Sequence, residues 1–368
     1  MNAIDYSLTR ERLFPGFDGR TCKIDPKTVT DGRSALLFYQ TLLLTGSDVF
    51  SDPYVAKSSD GGKTFAPPCP QGEPDVFTDG IRAHVSVTTV YYHRMHRQGF
   101  VLGTEEYYKD DSKPLLRGGI ALSKPVFYCI DVETGRRTSP VQALELPFPC
   151  LGAVPHGQII SCENGEMLLT FYFTTEDCLQ SRAITARAAL RGDRLELLQF
   201  GAPVACPGAA RGVTEPSMAR LGGRYFLTLR TDEQGMLAVG DSPYAFSDPA
   251  PWKWDDGKTV ENYNTMQRWV RFPDGLFLVY TRRGAHNDHV FRHRAPLFMT
   301  RFDEDRCCLI RSEEVILVPE LGARLGNFSV TDVSDAEVWL TTAEWMQPRG
   351  CEAYGSDNSI WRVCIRRK

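Results

Sequence analysis

The sequence lacks an apolar run long enough to cross a bilayer. Its most apolar stretch, residues 34–44, is interrupted by Gln40 and falls far short of the roughly 20 residues that a membrane-spanning helix needs. An excess of basic charge is also missing, because 42 lysines and arginines stand against 46 acidic residues. This balance argues against a general nucleic-acid-binding protein and a polybasic membrane-surface protein, so we expect neither nucleic acid nor membrane as a partner.

Signals for export and for metal binding are missing as well. Residues 1–17 lack the continuous apolar segment and the small-residue cleavage site of a secretory signal, which predicts a cytoplasmic location unless a leader was removed. The 11 cysteines include no Cys-x-x-Cys pair and no Cys/His ligand spacing. We therefore expect reduced thiols, mostly buried, and no cofactor.

What the chain does contain is a recurring pattern of short strands. Runs rich in β-branched and aromatic residues, such as residues 167–173, 224–230 and 276–282, alternate with Gly, Pro, Asp and Asn clusters, whereas helical periodicity is nearly absent. A polar turn followed by an apolar strand recurs at intervals of roughly 50 to 60 residues, slightly above the length of a four-stranded propeller blade. No Ser/Gly-rich or charged linker divides the chain. The pattern favours one all-β propeller domain, residues 1–368, over a two-sheet sandwich.

One turn carries a more specific signature. Residues 58–65, SSDGGKTF, fit the pattern Ser-x-Asp-x-Gly-x-Thr-aromatic, in which Asp accepts turn hydrogen bonds, Gly permits a positive φ and the aromatic side chain packs inward. Residues 247–257 look like a degenerate second copy, with Trp252 or Trp254 as the packing aromatic residue. The pattern is that of the Asp-box of sialidase-like propellers, although a single copy is also compatible with an ordinary Asp-Gly-Gly hairpin.

Three further segments occur in the order typical of the same family. Residues 155–173 are similar to a family loop that leads into a strand, and residues 214–230 to a stretch in which a Glu is followed by a substrate-binding Arg. Residues 326–344 are similar to the final blade. The chain thus resembles the sialidase superfamily of Asp-box, or BNR-repeat, proteins. The resemblance implies a six-bladed β-propeller of the sialidase type, with seven blades as the alternative, and glycoside hydrolase activity.

The resemblance also implies roles for individual residues. Asp48 stands at the position of the acid/base Asp, and Glu215 at that of the Glu that activates the Tyr nucleophile. Arg230 stands at one carboxylate-binding Arg, and Arg282 or Arg283 is a candidate for another, because a guanidinium binds a carboxylate in bidentate fashion. Together these positions predict a pocket for an acidic sugar.

Two positions depart from the family pattern. Lys23 occupies the place of the first of three carboxylate-binding arginines in the family. Its ammonium group is a point charge and lacks the paired, planar donors of a guanidinium. Phe328 falls where the Tyr nucleophile is expected, and it has no hydroxyl to attack an anomeric carbon. The ordinary retaining sialidase mechanism is then not open to this chain, unless a nearby residue such as Tyr263 or Tyr354 substitutes for the nucleophile.

The most unusual stretch, residues 280–298, is rich in Arg and His and lies between two predicted strands. We predict a loop on one face of the propeller, where such folds build their sites. In this interpretation Arg292 and Arg294 bind a carboxylate. His289 or His293 moves a proton near neutral pH. The loop is therefore a candidate for the pocket of an anionic sugar.

Two other interpretations of this loop stay open. It is also compatible with a solvated loop whose Arg and His side chains pair with local acids such as Asp288 and Asp303. Alternatively, His286 and His289 with Asp288 approach one metal ion, although no helix fixes their spacing. We predict that Asp288 belongs to the substrate site and that no metal is bound.

Other candidates lie upstream of the loop. Asn264 and Gln267 beside Trp269 combine amide hydrogen bonding with an aromatic face, as sugars favour, or else belong to a blade strand with Trp269 in the core. His156, in the sialidase-like segment, is either a satisfied turn histidine or a catalytic one. We keep the three polar residues as candidate site residues.

These residues support three functions. The first is an exo-acting glycoside hydrolase of sialidase type that cleaves a terminal acidic sugar, with Asp48 as acid and Glu215 as base. The second is a polysaccharide lyase or a histidine-dependent glycosidase acting on uronic-acid-containing glycans, with His289, His293 or His156 taking the proton. The third is a non-catalytic carbohydrate-binding propeller. The expected partner is an acidic saccharide, and no oligomeric state is predicted.

Overall fold

The computed structural model describes residues 5–45, 49–51, 53–71, 76–78, 80–110 and 113–368. Nearly all regular structure in these ranges is β-strand, and the helical elements are three short 3-10 helices: Phe291–His293, Arg311–Glu313 and Cys351–Tyr354. No helix found there is long and apolar enough to span a membrane. The all-β fold predicted from the short strand-like runs is confirmed.

The strands are short and follow one another closely along the chain. The first half of the described chain contains β1 (Tyr6–Leu13), β2 (Thr21–Thr30), β3 (Ala35–Leu43), β4 (Tyr54–Ser58), β5 (Cys69–Pro70), β6 (Val76–Thr78), β7 (Ile81–His93), β8 (Gln98–Asp110), β9 (Lys113–Pro114), β10 (Leu116–Arg117), β11 (Ile120–Ala121), β12 (Ser123–Ile130), β13 (Gln142–Ala143), β14 (Gly152–Pro155), β15 (Ile160–Ser161), β16 (Glu166–Thr174), β17 (Arg182–Arg191) and β18 (Arg194–Phe200). The second half contains β19 (Thr214–Leu221), β20 (Arg224–Arg230), β21 (Gly235–Gly240), β22 (Ala250–Pro251), β23 (Arg268–Phe272), β24 (Gly275–Tyr280), β25 (Leu297–Asp303), β26 (Cys308–Leu309), β27 (Val315–Val318), β28 (Phe328–Ser334), β29 (Glu337–Ala343) and β30 (Ile360–Arg367).

Most strands pair in antiparallel fashion with strands that are close to them in the sequence, and together they form several sheets. Three sheets have the orders β2-β3-β4-β5, β19-β20-β21-β22 and β23-β24-β25-β26, with β27 added to β25. A fourth has the order β1-β30-β29-β28, so the N-terminal strand completes the sheet of the C-terminal strands. A larger sheet lies between β6 and β18, and a parallel bridge from Ser123 to Gly152 joins its two parts. The six-bladed count remains a prediction, because this larger sheet runs across two of the predicted blades.

The first strands of successive sheets face a common interior. β2 lies against β7 and β28, and β23 lies against β19 and β28. The hydroxyl of Thr331 on β28 donates to the carbonyl of Thr28 on β2, 303 positions away in sequence, at 2.7 Å. β1 pairs with β30 from Tyr6 opposite Arg367 to Leu13 opposite Ile360. This arrangement gathers residues from distant parts of the chain around one axis, as in a sialidase-type propeller.

Apolar side chains fill the spaces between neighbouring sheets. Trp252 and Trp269 are no more than 1% exposed, and their ring centroids lie 5.8 Å apart in an edge-on contact. Phe302 completes the group at 5.2 Å from Trp269. Burying one such side chain contributes roughly 1.5 to 3 kcal/mol, with a further share from the aromatic contacts. The cluster therefore ties the sheet that begins at β19 to the sheet that begins at β23.

The turn at residues 58–65 joins β4 to β5 through side-chain hydrogen bonds. Asp60 accepts from the Thr64 amide at 2.9 Å, from the Thr64 hydroxyl at 2.7 Å and from the Ser58 hydroxyl at 2.7 Å. These bonds, with that of the Thr64 amide first, lower the pKa of Asp60. Gly62 has φ +85°, and a Cβ there would collide with the Trp339 ring. Glycine is needed because the turn both adopts a left-handed conformation and rests against that ring.

Candidate functional site

Three arginine side chains meet at Asn264, which lies between β22 and β23. Its side-chain oxygen accepts from Nη2 of Arg230 at 2.7 Å, Nη1 of Arg292 at 3.3 Å and Nη2 of Arg294 at 3.2 Å. Its backbone carbonyl also accepts from Nε and Nη2 of Arg294, at 3.1 and 2.5 Å. One neutral amide therefore holds three cations together. We call Arg230, Arg292 and Arg294 the arginine cluster.

Separate parts of the chain supply the arginine cluster. Arg230 is the last residue of β20, whereas Arg292 lies in a 3-10 helix after β24 and Arg294 follows that helix. Asn287, which is fully buried, donates its side-chain amide to the carbonyl of Ala295 at 2.6 Å. This bond closes the loop from inside and fixes the backbone that carries Arg292 and Arg294.

Glu215 is the carboxylate beside the arginine cluster. It is the second residue of β19, where a register shift between Thr214 and Ser217 interrupts the ladder with β20. Its Oε1 accepts from Nη1 of Arg230 at 2.5 Å. Its Oε2 is buried and has no hydrogen-bond partner among the residues that the structure describes. That oxygen has a free lone pair with which to bind a proton or a hydroxyl hydrogen.

The arginine cluster carries more positive charge than its surroundings balance. Arg294 is 3% exposed, and burial, followed by the nearby charge of Arg230, lowers the pKa of Arg294 to about 9. Glu215 opposes this shift, while Arg292 adds to it. Because like charges repel strongly where water is excluded, an anionic ligand in contact with these guanidiniums would stabilise the charged forms.

A second basic group adjoins Glu215 along the inner strands and comprises Lys27, Arg268 and His156. Nη2 of Arg268 lies 3.2 Å from the ring nitrogens of His156. Nζ of Lys27 pairs with the carboxylate of Asp25 at 2.5 Å. Burial lowers the pKa of Arg268 to about 10, although Glu215 and Asp25 both favour its charged form. Arg268 is thus stabilised in its charged form by two carboxylates, those of Glu215 and Asp25.

His156 is held neutral by these neighbours. Burial first, and then the charges of Arg268 and Lys27, keep the pKa of His156 well below its usual value of 6.5. Because Arg268 is a donor, the His156 nitrogen that faces it acts as an acceptor. His156 is therefore a neutral imidazole at physiological pH.

We expect the wild-type protein to lose stability relative to His156→Gln as the pH falls below 6.5. Below this pH the unfolded chain is protonated at His156 and the folded chain is not. The difference in unfolding free energy between the two proteins therefore grows by up to about 1.4 kcal/mol per pH unit, until the pKa of His156 in the folded chain is reached. Above pH 6.5 the two stabilities should change in parallel. Urea unfolding between about pH 5 and pH 8 measures this difference. Parallel curves over the whole range would contradict a depressed pKa.

Left-handed backbone conformations concentrate at this site. Four of its residues have φ between 49° and 58°: Asp25, Glu215, Asn264 and Arg292. Non-glycine residues rarely adopt this region, and each such residue costs about 1 to 3 kcal/mol. Strain of this kind is typical of binding and catalytic sites, where the surrounding structure holds a side chain in a required position.

Aromatic residues line the same interior. Tyr172 on β16 lies edge-on to His156, with ring centroids 6.0 Å apart. Burial first, and then the charge of Glu215, raise the pKa of Tyr172, so its hydroxyl stays protonated and is a poor nucleophile. Phe328 begins β28 and is 1% exposed. The position at which the sequence resemblance expected a nucleophilic Tyr is thus a buried phenyl ring.

The structure brings several of the predicted site residues to one place. Glu215, Arg230, Asn264, Arg292 and Arg294 form one hydrogen-bonded group, and His156 adjoins it through Arg268. Gln267, just before β23, is 1% exposed and donates its amide to the Thr265 carbonyl at 2.9 Å. Asp48, the predicted acid, lies outside the described residues.

Two predicted substrate-binding residues lie apart from this group. Lys23 donates to the carbonyls of Asn358 at 2.9 Å and Gly16 at 3.4 Å. Arg282 forms a bidentate pair with Glu314, at 2.8 Å through Nε and 2.5 Å through Nη2. Both side chains are engaged elsewhere, contrary to the prediction. Each side chain has acceptors on a neighbouring loop or strand, and the like charge of the arginine cluster disfavours a further cation there.

The histidines of the Arg/His loop also separate from the arginine cluster. His289 pairs with Glu320 at 3.0 Å and stacks on Tyr354 with ring centroids 4.5 Å apart. His293 contacts the Tyr263 hydroxyl at 2.7 Å and the Asp288 carboxylate at 3.2 Å. The predicted pairing of loop histidines with local acids therefore describes these residues better than a catalytic role. Within the described ranges, no group of three or more His, Cys, Asp and Glu side chains is placed to hold a metal ion.

The sequence analysis missed Asp25, Lys27, Arg268 and Tyr172. Lys27 lies four positions after Lys23, on the same strand, and a register shift between Ile24 and Lys27 separates the two. Arg268 directly follows the candidate Gln267, and Tyr172 lies inside the segment that resembled a sialidase strand. Each is a polar residue in a strand that is otherwise apolar or β-branched. That contrast is the sequence signal that could have identified them as site residues.

Comparisons with known proteins give the fold independently. No family model matches the sequence, and no curated protein sequence matches it. Solved sialidase structures do match: a Trypanosoma rangeli sialidase in complex with the inhibitor DANA is 14% identical with a TM-score of 0.60, and the match covers 98% of this chain and 59% of that one. This chain therefore spans about three fifths of the trypanosomal sialidase.

Two further solved structures are similar to this chain at a comparable level. The endosialidase of phage phi92 is 12% identical with a TM-score of 0.57, over 99% of this chain and 70% of that one. An intramolecular trans-sialidase from Ruminococcus gnavus, in complex with oseltamivir carboxylate, is 11% identical with a TM-score of 0.57, over 93% and 94% of the two chains. The chain has a sialidase-like fold, as its sequence resemblance predicted.

Proposed function

We propose that this sialidase-like propeller is an exo-acting glycoside hydrolase that removes a terminal acidic sugar. The observation that carries the proposal is the arginine cluster, three guanidiniums gathered on Asn264 beside the carboxylate of Glu215. A sugar carboxylate supplies the charge that these groups lack, and guanidinium donors match its two oxygens. The relatives of this fold named above are sialidases, which agrees with an acidic sugar as substrate.

The proposed binding mode uses donors that are not already engaged. Arg292 is exposed and donates one Nη1 bond to Asn264, which leaves its remaining donors for a ligand. Nε of Arg230 is buried without a partner in the described chain. We place the substrate carboxylate against these two side chains. The buried Arg294 contributes further positive charge that attracts the carboxylate. Arg282 and Lys23 have no part in this site.

The proposed reaction uses Glu215 as the base. Since Phe328 offers no hydroxyl, Glu215 Oε2 takes a proton from water, the water oxygen bonds to the anomeric carbon, and the bond to the leaving-group oxygen breaks. An acid must then protonate the leaving oxygen. The sequence resemblance gives that role to Asp48, and it stays a prediction. The turn at residues 58–65 would be an Asp-box in this family assignment.

A second candidate reaction rests on His156. His156 is neutral and can accept a proton, although its lowered pKa makes it a weak base, and Arg268 beside it stabilises negative charge. These are the groups that a lyase needs when it removes the proton next to the carboxylate of a uronic acid. In that reaction the leaving sugar departs by elimination, and no water is added.

Incubation with a panel of short acidic oligosaccharides, including sialosides and uronides, tests the proposal by mass spectrometry. We expect release of one terminal acidic monosaccharide with gain of one water. An unsaturated product that absorbs in the near ultraviolet would instead establish the lyase. Binding without any product across the panel would overturn the enzyme assignment and leave a carbohydrate-binding propeller.

A further inference from the structure

A cavity lies along the inner strands, and the arginine cluster is not part of its lining. It has a volume of about 510 Å³ and is lined by the inner strands of several sheets. Its walls follow β2 from Lys27, β23 from Arg268 and β28 from Phe328 toward the far ends of these strands. The proposed hydrolase reaction uses none of this space, although Arg268, which lines it, also adjoins His156. We call it the axial cavity.

Cations dominate the charged residues of the axial cavity. Lys27, Arg94, Arg220, Arg268 and Arg271 line it, against the carboxylates Asp332 and Asp335. Arg271 pairs with Asp332, but the other arginines have no carboxylate partner within the described part of the chain. Although Lys27 pairs with Asp25, the cavity keeps an excess of positive charge, which favours an anion.

The inner end of the axial cavity contains an unsatisfied donor. Arg268 is 4% exposed, and its Nη1 is buried without a hydrogen-bond partner in the described chain. A buried guanidinium nitrogen without an acceptor carries a free-energy cost, because it has lost its hydrogen bond to water. An acceptor supplied by a ligand would remove this cost.

Hydroxyl groups line the walls between these cations. Thr89 donates its hydroxyl to the Gly157 carbonyl at 3.1 Å, and Thr88 donates to the Leu102 carbonyl at 3.0 Å. The hydroxyls of Tyr91 and Ser161 are hydrogen-bonded to each other. Hydroxyl oxygens that donate to the backbone retain lone pairs and accept hydrogen bonds from a ligand's own hydroxyls. The lining thus suits a molecule with both hydroxyl groups and a negative charge.

We propose that the axial cavity is a second binding site, separate from the arginine cluster, for a small hydroxylated anion of the sugar carboxylate or sugar phosphate type. Arg268 and Arg271 bind the anionic group, and the threonine and tyrosine hydroxyls bind the rest. The site does not depend on the proposed hydrolase activity. It also differs in position, because it opens along the inner strands rather than at the loop of Arg292.

Isothermal titration of the intact protein at low ionic strength tests the site, with gluconate and glucose 6-phosphate as probes and glucose as the uncharged control. We expect at least one probe to bind saturably at concentrations where glucose does not bind, and to retain one site per chain in Arg292→Gln. The probe that binds more tightly identifies the anionic group. Arg271→Gln should weaken this binding at least tenfold.

Three variants separate the possible outcomes. Arg94→Gln provides a second test in case Arg271→Gln does not fold, since Arg94 is exposed at the cavity and donates to the Val333 carbonyl. Arg191→Gln removes the same charge from an exposed strand end and should leave binding unchanged. Arg292→Gln weakens binding at the arginine cluster and should preserve binding in the cavity.

Two results would overturn the axial site. One is the absence of saturable binding of either probe. The other is binding that Arg292→Gln abolishes and that neither Arg271→Gln nor Arg94→Gln changes, which would place the anion at the arginine cluster. Either result leaves the proposed function intact, because product release from oligosaccharides is measured separately.

Discussion

Glu215→Gln should lower kcat about 10²- to 10⁴-fold while leaving KM within a few-fold of the wild type. Glutamine keeps the shape and an oxygen to accept from Arg230, but it has no lone pair basic enough to take a proton. The Oε2 that is free in the wild type is the atom that this substitution changes. Steady-state kinetics on the best substrate of the oligosaccharide panel gives both constants.

Glu314→Gln is a matched control for this experiment. The Glu314 and Arg282 side chains are 14% and 18% exposed, close to the 15% and 13% of Glu215 and Arg230. Each pair has a contact of 2.5 Å, but Glu314 binds Arg282 in bidentate fashion and also accepts from the Tyr280 hydroxyl at 2.6 Å, so Glu314→Gln removes more polar contacts. We expect Glu314→Gln to lower stability at least as much as Glu215→Gln and to leave kcat nearly unchanged. Equal activity losses in the two variants would show that Glu215 acts only through the fold.

Features that depend on local sequence were predictable. Asp31 accepts from the amides of Arg33 and Ser34, at 2.8 and 2.7 Å, and closes the turn between β2 and β3. Such a turn is encoded by neighbouring residues, so the Asp-Gly pair indicates it without knowledge of the rest of the fold. The bridge that joins β12 to β14 depends on contacts between distant segments and left no comparable signal.

The same distinction divides the site residues. Glu215 and Arg230 lie on two strands of one hairpin, so their approach follows from the sequence of β19 and β20. Lys27 was missed in favour of Lys23 because a bulge after Ile24 changes which residue reaches the interior. Bulges of this kind depend on packing against neighbouring strands and are not evident from residue types alone.

Composition was a poor guide within the Arg/His loop. The loop has a uniformly basic character in sequence, yet its buried Asn287 and the 3-10 helix divide it into two parts. The part that ends at Arg294 turns inward to Asn264, whereas His289 turns toward Glu320. A count of charged residues cannot separate these parts, because the separation depends on one amide's hydrogen bonds to the backbone.

Arg292→Gln and His289→Gln distinguish the two views of this loop. The contacts predict that Arg292→Gln raises KM about tenfold to a hundredfold, as expected for loss of a charge-assisted bond to a carboxylate of roughly 1.5 to 3 kcal/mol. They predict that His289→Gln leaves kcat and KM close to the wild type, since Glu320 and Tyr354 already engage that ring. A catalytic role for His289, as the sequence suggested, predicts instead a large fall in kcat.

The pair is informative because the two positions share one exposed loop, and Arg292 is a surface residue whose substitution leaves no buried charge behind. Measurement of both constants separates binding from turnover, because a group that holds the carboxylate equally in ground and transition states changes KM alone. If the acidic sugar is bound by the arginine cluster, a neutral sugar analogue should be insensitive to Arg292→Gln. An equal effect on charged and neutral substrates would remove the electrostatic basis of the proposed site.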